Sequence, residues 1–255
     1  MESIAKKYDM IVIGAGSGGM GGGRRAALLG KSVAMIENRV IGGTCVNVGC
    51  VPKKVMFNLA NFVEEAHLMK DYGVMGTENL KVDFPTFKSR RDGYVKRLNG
   101  IYERNLENSK IDYFRGTASF VNQKEVETSE GVKLTADHIL IASGSYPATP
   151  QFPGGEHCWS SDDIFTMEEL PESIVVLGGG YIAVEMAQIM TALGVKTTLI
   201  ARNKILTLVD QDLIPILENS MKKLNLDARL KTPFKSVEKL ENGMFQVNLE
   251  DGGSV

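Results

Sequence analysis

The chain has little of several features that define other classes of protein. It has only three cysteines in 255 residues, too few for a secreted disulfide scaffold, so we expect a reducing compartment. No apolar run approaches the length that a membrane-spanning helix needs. The net charge is -2, so the basic surface of a nucleic-acid-binding protein is missing. The three histidines form no ligand-spaced cluster, so we predict no metal site.

The N-terminal residues carry charge and lead almost at once into a predicted strand. This leaves no room for a signal or transit peptide, so we expect a cytoplasmic location, with a mitochondrial form left open. The length is sufficient for one large domain or two ordinary ones.

Glycine is abundant, with 27 residues, and it is clustered in an internal repeat. A buried strand, a tight turn, a helix and a second strand are predicted from Asp9 to Ile36, and the same pattern returns at Ser173, about 164 residues later. The second copy comprises a strand at 174–177, a turn at 178–180, a helix at 181–193 and a strand at 195–200. The repeat predicts an α/β fold with two Rossmann-like dinucleotide-binding domains in tandem.

Further elements are predicted between and after the two copies. Helices are expected from Pro52 to about Lys70 and from Thr86 to about Asn108. Strands are expected at 112–121, 125–128, 138–142 and 245–249. The segment Ser143 to Pro171 holds four prolines and a Gly-Gly pair, so we place the domain boundary there, with domains at 1–145 and 146–255.

The first glycine-rich turn has the pattern Gly14-x-Gly16-x-x-Gly19 between a strand and a helix, and Glu37 lies 23 residues after Gly14. Glycines let the backbone approach a pyrophosphate, the helix N-terminus supplies donors, and the carboxylate accepts from a ribose diol. These residues predict a site for an adenine dinucleotide with a free ribose.

The second turn has the pattern Gly178-x-Gly180-x-x-Ala183, and the position matching Glu37 is Ala201, followed by Arg202. Loss of the carboxylate and gain of an arginine favour a 2′-phosphate, so this turn predicts an NADPH site. An ordinary solvated charge at Arg202 is the alternative.

Cys45 and Cys50 lie five positions apart, after a glycine pair and just before a predicted helix. A helix N-terminus stabilises a thiolate, and Lys53 and Lys54 add positive charge. An accessible thiolate beside a second thiol is what disulfide exchange requires, so the pair is a candidate redox couple. Two small buried hydrophobic residues are the alternative.

The stretch Gly42 to Lys54, Gly-Gly-Thr-Cys-Val-Asn-Val-Gly-Cys-Val-Pro-Lys-Lys, resembles the active-site motif of the flavin-dependent pyridine-nucleotide disulfide oxidoreductases, in their glutathione reductase branch. Dihydrolipoamide dehydrogenases are similar but usually have Ile-Pro-Ser-Lys at the end of the motif. The resemblance runs from about Tyr8 to Asp210 and includes Gly178 to Glu185.

The resemblance implies FAD on the first domain and NADPH on the second. The implied FAD-binding residues are Gly14, Gly16, Ser17, Gly18, Gly19, Glu37, Thr44, Cys45, Lys53, Ala118 and Gly144. The implied NADPH-binding residues are Gly178, Gly179, Gly180, Ile182, Glu185 and Arg202.

The resemblance also implies the catalytic roles. Cys50 would face the flavin, and Cys45 would attack the substrate disulfide. Lys53 would pair with Glu185, and Tyr181 would cover the flavin until nicotinamide displaces it. For Tyr181, an aromatic residue that simply packs in the core is the alternative.

Five positions match those that face glutathione in glutathione reductases, namely Ser17, Arg24, Ile101, Tyr102 and Asn105. Arg24 suits the carboxylates of glutathione disulfide, whereas trypanothione reductases have a tryptophan there. Packing in the helix core is the alternative for Ile101 and Tyr102.

The chain departs from the family pattern in three places. Thr207 and Leu208 stand where a second arginine is usual, so NADPH preference is weaker or Lys204 substitutes. The run 21–23 is three glycines, which weakens a helix unless close packing requires them. The chain stops before the second flavin segment and the dimer-interface domain, from which the partner subunit supplies the family's catalytic His-Glu pair.

The sequence therefore predicts NADPH-dependent reduction of glutathione disulfide through FAD and the Cys45–Cys50 pair, with a homodimer for the full-length protein. A trypanothione- or thioredoxin-type reductase is one alternative. The other is a truncated product that binds nucleotides without reducing disulfides, because we expect little or no turnover and no proper dimer from these 255 residues.

Overall fold

The computed structural model describes residues 5–77, 80–148 and 150–255. Spatial contacts divide the chain into two compact units, Met1–Pro52 with Ser89–Tyr146, and Lys53–Lys88 with Pro147–Val255. The predicted boundary near residue 145 lies next to Tyr146, where the first unit ends. Residues 53–88, however, group with the second unit. The assignment of FAD and NADPH to separate domains stays a prediction, since contacts alone define these units.

The first half of the chain begins with a strand, a helix and a strand, as predicted. The elements are β1 (Lys6–Ile13), α1 (Ser17–Leu28), β2 (Val33–Glu37), α2 (Gly43–Asn47), α3 (Cys50–Leu68), α4 (Phe84–Asn108), β3 (Asp112–Arg115), β4 (Ala118–Asn122), β5 (Glu125–Thr128) and β6 (Lys133–Ile141). One short 3₁₀ helix follows α3 at Met69–Tyr72.

The second half repeats the same order with a different ending. The elements are β7 (Ser173–Leu177), α5 (Tyr181–Ala192), β8 (Lys196–Ala201), α6 (Ile214–Lys223), β9 (Asp227–Leu230), β10 (Phe234–Lys239) and β11 (Phe245–Leu249). Short 3₁₀ helices lie at Gly155–His157, Asp163–Thr166 and Gln211–Leu213.

The first unit is built around a six-stranded sheet of order β3-β2-β1-β6-β5-β4. The first four strands are parallel, with Met10 opposite Val33 and His138, and β5 and β4 are antiparallel. Helices α1 and α4 cover one face, where Met20 and Leu106 join a cluster with strand residues. On the other face, Val126 of β5 packs with Ile11 and Ile36. Because they are covered on both faces, the parallel strands are largely apolar, as such sheets require.

The second unit has a three-stranded parallel sheet of order β7-β8-β9 and a β10–β11 hairpin. Side chains of α5 and α6, including Val184 and Met221, pack on one face of the sheet. The hairpin contributes Val237 and Val247 to a cluster with Ile200 of β8. Both copies of the repeat thus form parallel β-α-β units, which confirms the predicted α/β fold with Rossmann-like units.

Two sequence-based predictions about strands were wrong. The strand predicted at 112–121 is two strands, because Gly116 (φ 131°) turns the chain between β3 on one sheet edge and β4 beside β5. No element was predicted between Ala201 and Phe245, where α6, β9 and β10 lie, and β10 pairs with β11 in an antiparallel hairpin. None of these elements is longer than ten residues, so each gives only a weak periodic signal.

The three glycines of α1 do not share one explanation. A Cβ on Gly22 would lie 2.5 Å from Leu140, and one on Gly23 would lie 2.8 Å from Met35, so both allow α1 to approach the sheet. Gly21 is exposed, and a Cβ there would have no neighbour within 4 Å. Close packing therefore accounts for two of the three glycines.

In the described ranges, no helix combines the length and apolar character that crossing a bilayer demands.

Alanine at Gly21 and alanine at Gly19 are expected to shift stability in opposite directions. Gly21→Ala gains helix propensity without a clash, so we expect the free energy of unfolding to rise by about 0.5–1 kcal/mol. A Cβ on Gly19 would overlap the Gly14 carbonyl oxygen, so we expect Gly19→Ala to lower it by more than ~1 kcal/mol. Urea unfolding at matched m values measures both, and a stabilising Gly19→Ala would contradict the packing explanation.

Candidate functional site

The first glycine-rich turn links the end of β1 to the start of α1. Gly14 has φ 104°, and a Cβ there would overlap the carbonyl oxygen of Ala142, which follows β6. Gly19 is equally restricted by the Gly14 carbonyl. By contrast, a Cβ on Gly18 would meet only the Ala142 side chain, at 3.7 Å. Two of the glycines are thus required by the fold, and Gly18 keeps an open surface for a ligand.

Helix α1 begins without a side-chain cap in the part of the chain that the structure describes. Gly16 occupies the N-cap position in an extended conformation, and the next residues, Ser17 and Gly18, are exposed. The amide groups of an uncapped first turn need external acceptors. Together with the open face of the turn, this arrangement fits the pyrophosphate of FAD.

The carboxylate of Glu37 lies beside this turn at the end of β2. Its Oε2 accepts from the Ala15 amide at 2.8 Å, and its Oε1 accepts from the Arg39 amide at 2.8 Å. Each oxygen has a second lone pair. The side chain is therefore held in place and still has acceptor capacity for a ribose diol, as FAD binding requires.

Three further residues implied for FAD lie in the same unit. Thr44 is exposed on α2, and Gly144 is exposed with φ 71° after β6. Ala118 begins β4, two residues after Gly116, whose amide donates to the Glu37 carbonyl at 3.0 Å. Their contact with FAD stays a prediction.

The two candidate redox cysteines lie in adjacent helical elements. Cys45 is in the single-turn helix α2, and Cys50 is the first residue of α3, with a short link at Val48 and Gly49. Both are free thiols; Cys50 is exposed and Cys45 is half-buried. On one regular helix, two positions five residues apart would point ~140° away from each other. The interruption between α2 and α3 removes this restriction from the two thiols.

The Cys45 thiol is close enough to Cys50 and to Ser17 for hydrogen bonding. Burial raises the pKa of the Cys45 thiol, and Cys50 raises this pKa further through its hydrogen bond and its charge. The Ser17 hydrogen bond lowers the same pKa. Ser17, at the start of α1, therefore belongs both to the dinucleotide turn and to the thiol pair.

The backbone joins the cysteine segment to the dinucleotide turn. Gly43 has φ 60°, and a Cβ there would lie 2.7 Å from the Cα of Gly16. The amide of Gly42 donates to the Ala15 carbonyl at 2.9 Å. These contacts hold the start of α2 directly against the turn that fits FAD.

Asn47 and Asn99 were not singled out from the sequence, yet they hold this segment in place. Asn47 Nδ2 donates to the carbonyls of Ile41 (3.1 Å) and Gly43 (2.9 Å). Asn99 of α4 donates to the Ile41 carbonyl at 2.8 Å and to Asn47 Oδ1 at 3.0 Å. In the sequence, Asn47 is one amide within the cysteine motif and Asn99 is another on a predicted helix. Nothing in the sequence indicates that the two side chains lie close together.

The second glycine-rich turn has the same construction. Gly178 has φ 136°, and its amide donates to the Ile200 carbonyl at 2.9 Å. Gly179 accepts from the Leu206 amide at 2.7 Å, so the segment after β8 lies against the turn. Gly180 is the N-cap of α5 and has no side-chain cap in the described part of the chain. A Cβ on Gly180 would meet nothing within 4 Å, which leaves space for a pyrophosphate.

Tyr181 and Ile182, at the start of α5, are both exposed, with 67% and 43% of their surface accessible. Packing in the core, the alternative reading of Tyr181, does not agree with this exposure. The structure thus leaves the ring available for a nucleotide-binding role.

Arg202 follows β8, as predicted, and its guanidinium lies 5.8 Å from the centre of the Phe234 ring. Lys204 lines a cavity of about 430 Å³ together with Lys231 and Gln211. Thr207 is exposed. Cationic side chains are therefore present around this segment, but no second arginine stands beside Arg202 in it.

Lys53 and Glu185 form the ion pair that the resemblance implied. Lys53 Nζ lies 3.0 Å from Glu185 Oε1, and the side chains are 27% and 41% exposed. The pair joins α3, three residues after Cys50, to the first turns of α5. Its role in catalysis stays a prediction.

The residues predicted to face glutathione lie on α1 and α4. Arg24 is exposed, and its Nε donates to Ser109 Oγ at 3.4 Å, which places it at the end of α4. Ile101 and Asn105 are half-buried, and Tyr102 packs against the core cluster of the first unit. For Tyr102, the alternative of core packing therefore agrees with the structure.

Among the described residues, no group of three or more histidine, cysteine or acidic side chains is arranged to hold a metal ion.

The family model described as "Pyridine nucleotide-disulphide oxidoreductase" matches residues 8–255. The chain is 39% identical over 263 aligned positions to a protein named glutathione reductase from Schizosaccharomyces pombe, which covers 100% of this chain and 57% of that protein. It is 38% identical over 260 positions to a protein of the same name from Yarrowia lipolytica, covering 97% of this chain and 55% of that protein. The chain thus spans somewhat more than half the length of these curated relatives.

Two substitutions are expected to move the titration of Cys45 in opposite directions. Cys50→Ala removes a group that raises the Cys45 pKa, and Ser17→Ala removes one that lowers it. The thiolate is the reactive form, so we expect Cys45 alkylation by iodoacetamide to begin at lower pH in Cys50→Ala and at higher pH in Ser17→Ala. The reduced wild-type chain is expected to titrate above the ordinary value of 9.0.

Mass spectrometry of the Cys45 peptide in a Cys158→Ser background measures these profiles. Identical profiles in all three proteins would contradict the described contacts.

Proposed function

This chain belongs to the pyridine nucleotide-disulphide oxidoreductases, and on that premise we propose that it is the nucleotide-binding part of an NADPH-dependent glutathione reductase. The observation that carries the proposal is the position of Cys45 and Cys50. The two thiols are in hydrogen-bonding range of each other, and their segment lies against a turn that fits FAD. Thiol–disulfide exchange requires two thiols that can reach each other, and this pair meets that requirement.

We propose FAD on the first glycine-rich turn and NADPH on the second. When bound, the flavin would accept two electrons from the reduced nicotinamide and deliver them to the Cys45–Cys50 disulfide. The open faces of Gly18 and Gly180 would admit the two pyrophosphates, and Glu37 would accept from the ribose of FAD. Exposed Tyr181 would close over the flavin site while NADPH is absent.

Charged side chains near the two proposed nucleotide sites are given positioning roles. Lys53 would supply positive charge near the flavin ring, and Glu185 would fix its ammonium, as their 3.0 Å ion pair supports. Arg202 would contact the 2′-phosphate of NADPH after leaving the Phe234 ring, with Lys204 as the second cation. Because Thr207 contributes no charge, we propose a smaller preference for NADPH over NADH than two arginines would give.

The disulfide step uses the two thiols in turn. The Cys45 thiolate attacks one sulfur of glutathione disulfide, forming a mixed disulfide and releasing one glutathione thiolate. The Cys50 thiolate then attacks the Cys45 sulfur, which forms the Cys45–Cys50 disulfide and releases the second glutathione. One disulfide is reduced as one dithiol is oxidised, so electrons balance. The raised pKa of Cys45 makes a base useful for the first attack.

Glutathione disulfide is favoured over a cationic disulfide because Arg24 is exposed beside the substrate-facing helix.

We propose a homodimer for the whole protein, in which the partner supplies the acid-base pair. The low cysteine content supports a reducing compartment, and we propose the cytoplasm.

Single-turnover exchange with glutathione disulfide tests the proposal without any bound nucleotide. The reduced chain in a Cys158→Ser background is expected to release two glutathiones per chain and to end with a Cys45–Cys50 disulfide. Cys50→Ser is expected to stop at a glutathione adduct on Cys45 with one glutathione released. Cys45→Ser is expected to react far more slowly, because the substrate-attacking thiol is gone.

Rates come from rapid acid quench and mass spectrometry, with cystamine as the cationic comparison. Failure of the wild-type chain to react with glutathione disulfide would remove the proposed function. An adduct on Cys50 in Cys45→Ser, formed as fast as that on Cys45 in Cys50→Ser, would reverse the assignment of roles.

A further inference from the structure

A cavity in the second unit is lined by two lysines that follow different strands. The cavity has a volume of about 430 Å³ and lies between the segment after β8, the start of α6 and the end of β9. Lys204 belongs to the segment after β8, and Lys231 comes directly after β9. We call this space, with its two ammonium groups, the lysine cavity.

Backbone contacts hold the two lysine-bearing segments together. Ala201 and Leu230, the last residues of β8 and β9, are opposite each other in the parallel pairing. Beyond this pair, the Lys231 amide donates to the Asn203 carbonyl at 3.4 Å. The Thr232 amide donates to the Ala201 carbonyl at 3.0 Å. The two segments therefore leave the carboxyl edge of the sheet side by side.

The lysine cavity lies on the same face of the sheet as the start of α5. Side chains of α5 and α6, Val184 and Ile214 among them, pack in one cluster on that face. The Leu206 amide donates to the Gly179 carbonyl at 2.7 Å, so the segment after β8 also touches the second glycine-rich turn. Packed helices lie roughly 8–10 Å apart, a distance that the adenosine half of a dinucleotide spans. A nucleotide with its pyrophosphate at Gly180 can therefore extend its ribose toward the cavity.

Arg202, by contrast, is directed to the other face of the sheet. Its guanidinium lies over the ring of Phe234, which packs with the cluster between the sheet and the hairpin. The Arg202 side chain has to leave that ring before it reaches a phosphate on the α5 side, whereas both lysines already line the cavity. The lysines are thus the preformed part of a phosphate site.

The charges around the cavity are mixed, with the positive ones in excess. Glu218, a half-buried residue of α6, is the acid that lines the cavity. Asp210 and Asp212, in the connection before α6, do not line it. Neither lysine forms an ion pair with an acidic side chain in the described ranges, and Asp227 of β9 pairs with Arg229 at 3.0 Å. Two ammonium groups against one carboxylate favour an anion in the cavity.

We propose that Lys231, together with Lys204, binds the 2′-phosphate of NADPH in the lysine cavity. A phosphate monoester carries a charge of about −1.5 to −2 at neutral pH, so one lysine alone does not neutralise it. Thr207 and Leu208 supply no charge where the family resemblance implied a second arginine. This inference rests on the proposed function, and it adds from β9 a residue that sets the preference for NADPH over NADH. Glu218 opposes the same phosphate and limits that preference.

The test compares NADP⁺ with NAD⁺, which differ only in the 2′-phosphate, by calorimetric titration of the chain without FAD. Wild type is expected to bind NADP⁺ more tightly. For Lys231→Gln we expect the ratio of the two affinities to fall by roughly 3- to 10-fold at low ionic strength, because a charge-assisted contact is lost. The affinity for NAD⁺ is expected to stay close to wild type. Lys231→Arg is expected to keep the wild-type ratio, because it keeps the charge.

Two further variants separate this site from general electrostatics. Lys235→Gln removes the same charge from an exposed position on β10, which lines a different depression together with His157. Its affinity ratio is expected to follow wild type, because its charge lies outside the lysine cavity. Glu218→Gln removes the opposing carboxylate, so we expect the ratio to rise by roughly two- to fivefold. Damage to the fold does not produce such a rise.

The outcomes distinguish the inference from the proposed function. If wild type binds NADP⁺ no more tightly than NAD⁺, the proposed NADPH site fails and the inference fails with it. If wild type prefers NADP⁺ but Lys231→Gln keeps the wild-type ratio, the proposed function stands and the inference is overturned. An equal loss in Lys235→Gln also overturns it. Should Lys231→Gln not fold, an unchanged or lowered ratio in Glu218→Gln overturns the inference on its own.

Discussion

The close approach of Gly43 to Gly16 is the contact on which the site depends. The approach leaves no room for a side chain at Gly43, since a Cβ there would lie 2.7 Å from the Gly16 Cα. This approach brings Ser17 to the Cys45 thiol and places the dithiol beside an uncapped helix start. The glycine-rich turn and the two thiols are thereby held at one place, as the proposed site requires.

The two units share one arrangement of strands and helices but differ in the charge near the end of the second strand. Each has a parallel β-α-β unit with a glycine turn, helices on one face and an antiparallel hairpin on the other. In the first unit Glu37 ends the second strand, whereas in the second unit Ala201 ends it and Arg202 follows. The loss of one negative charge and the gain of a positive charge at the next residue account for the proposed assignment of a free ribose to one turn and a 2′-phosphate to the other.

Motifs with a fixed local geometry could be predicted from the sequence. The glycine turns, the acid at the end of β2 and a helix beginning just after the cysteines depend on residues close in sequence, so spacing was sufficient. The Lys53–Glu185 ion pair spans 132 positions and was predicted only through a family resemblance. The Asn47–Asn99 contact and the placement of Arg202 over Phe234 depend on tertiary packing, for which the sequence offers no period. Strand β10 was missed because charged residues alternate with its few apolar ones.

The most direct test of the central claim is whether NADPH reduces the cysteine pair through FAD. The chain is oxidised, loaded with FAD and treated with NADPH without oxygen, and newly formed thiols are alkylated and located by mass spectrometry. We predict that Cys45 and Cys50 become alkylated together, that Cys158 is labelled equally with and without NADPH, and that omission of FAD prevents the change. Bleaching of the flavin absorbance by NADPH while Cys45 and Cys50 remain a disulfide would contradict the account.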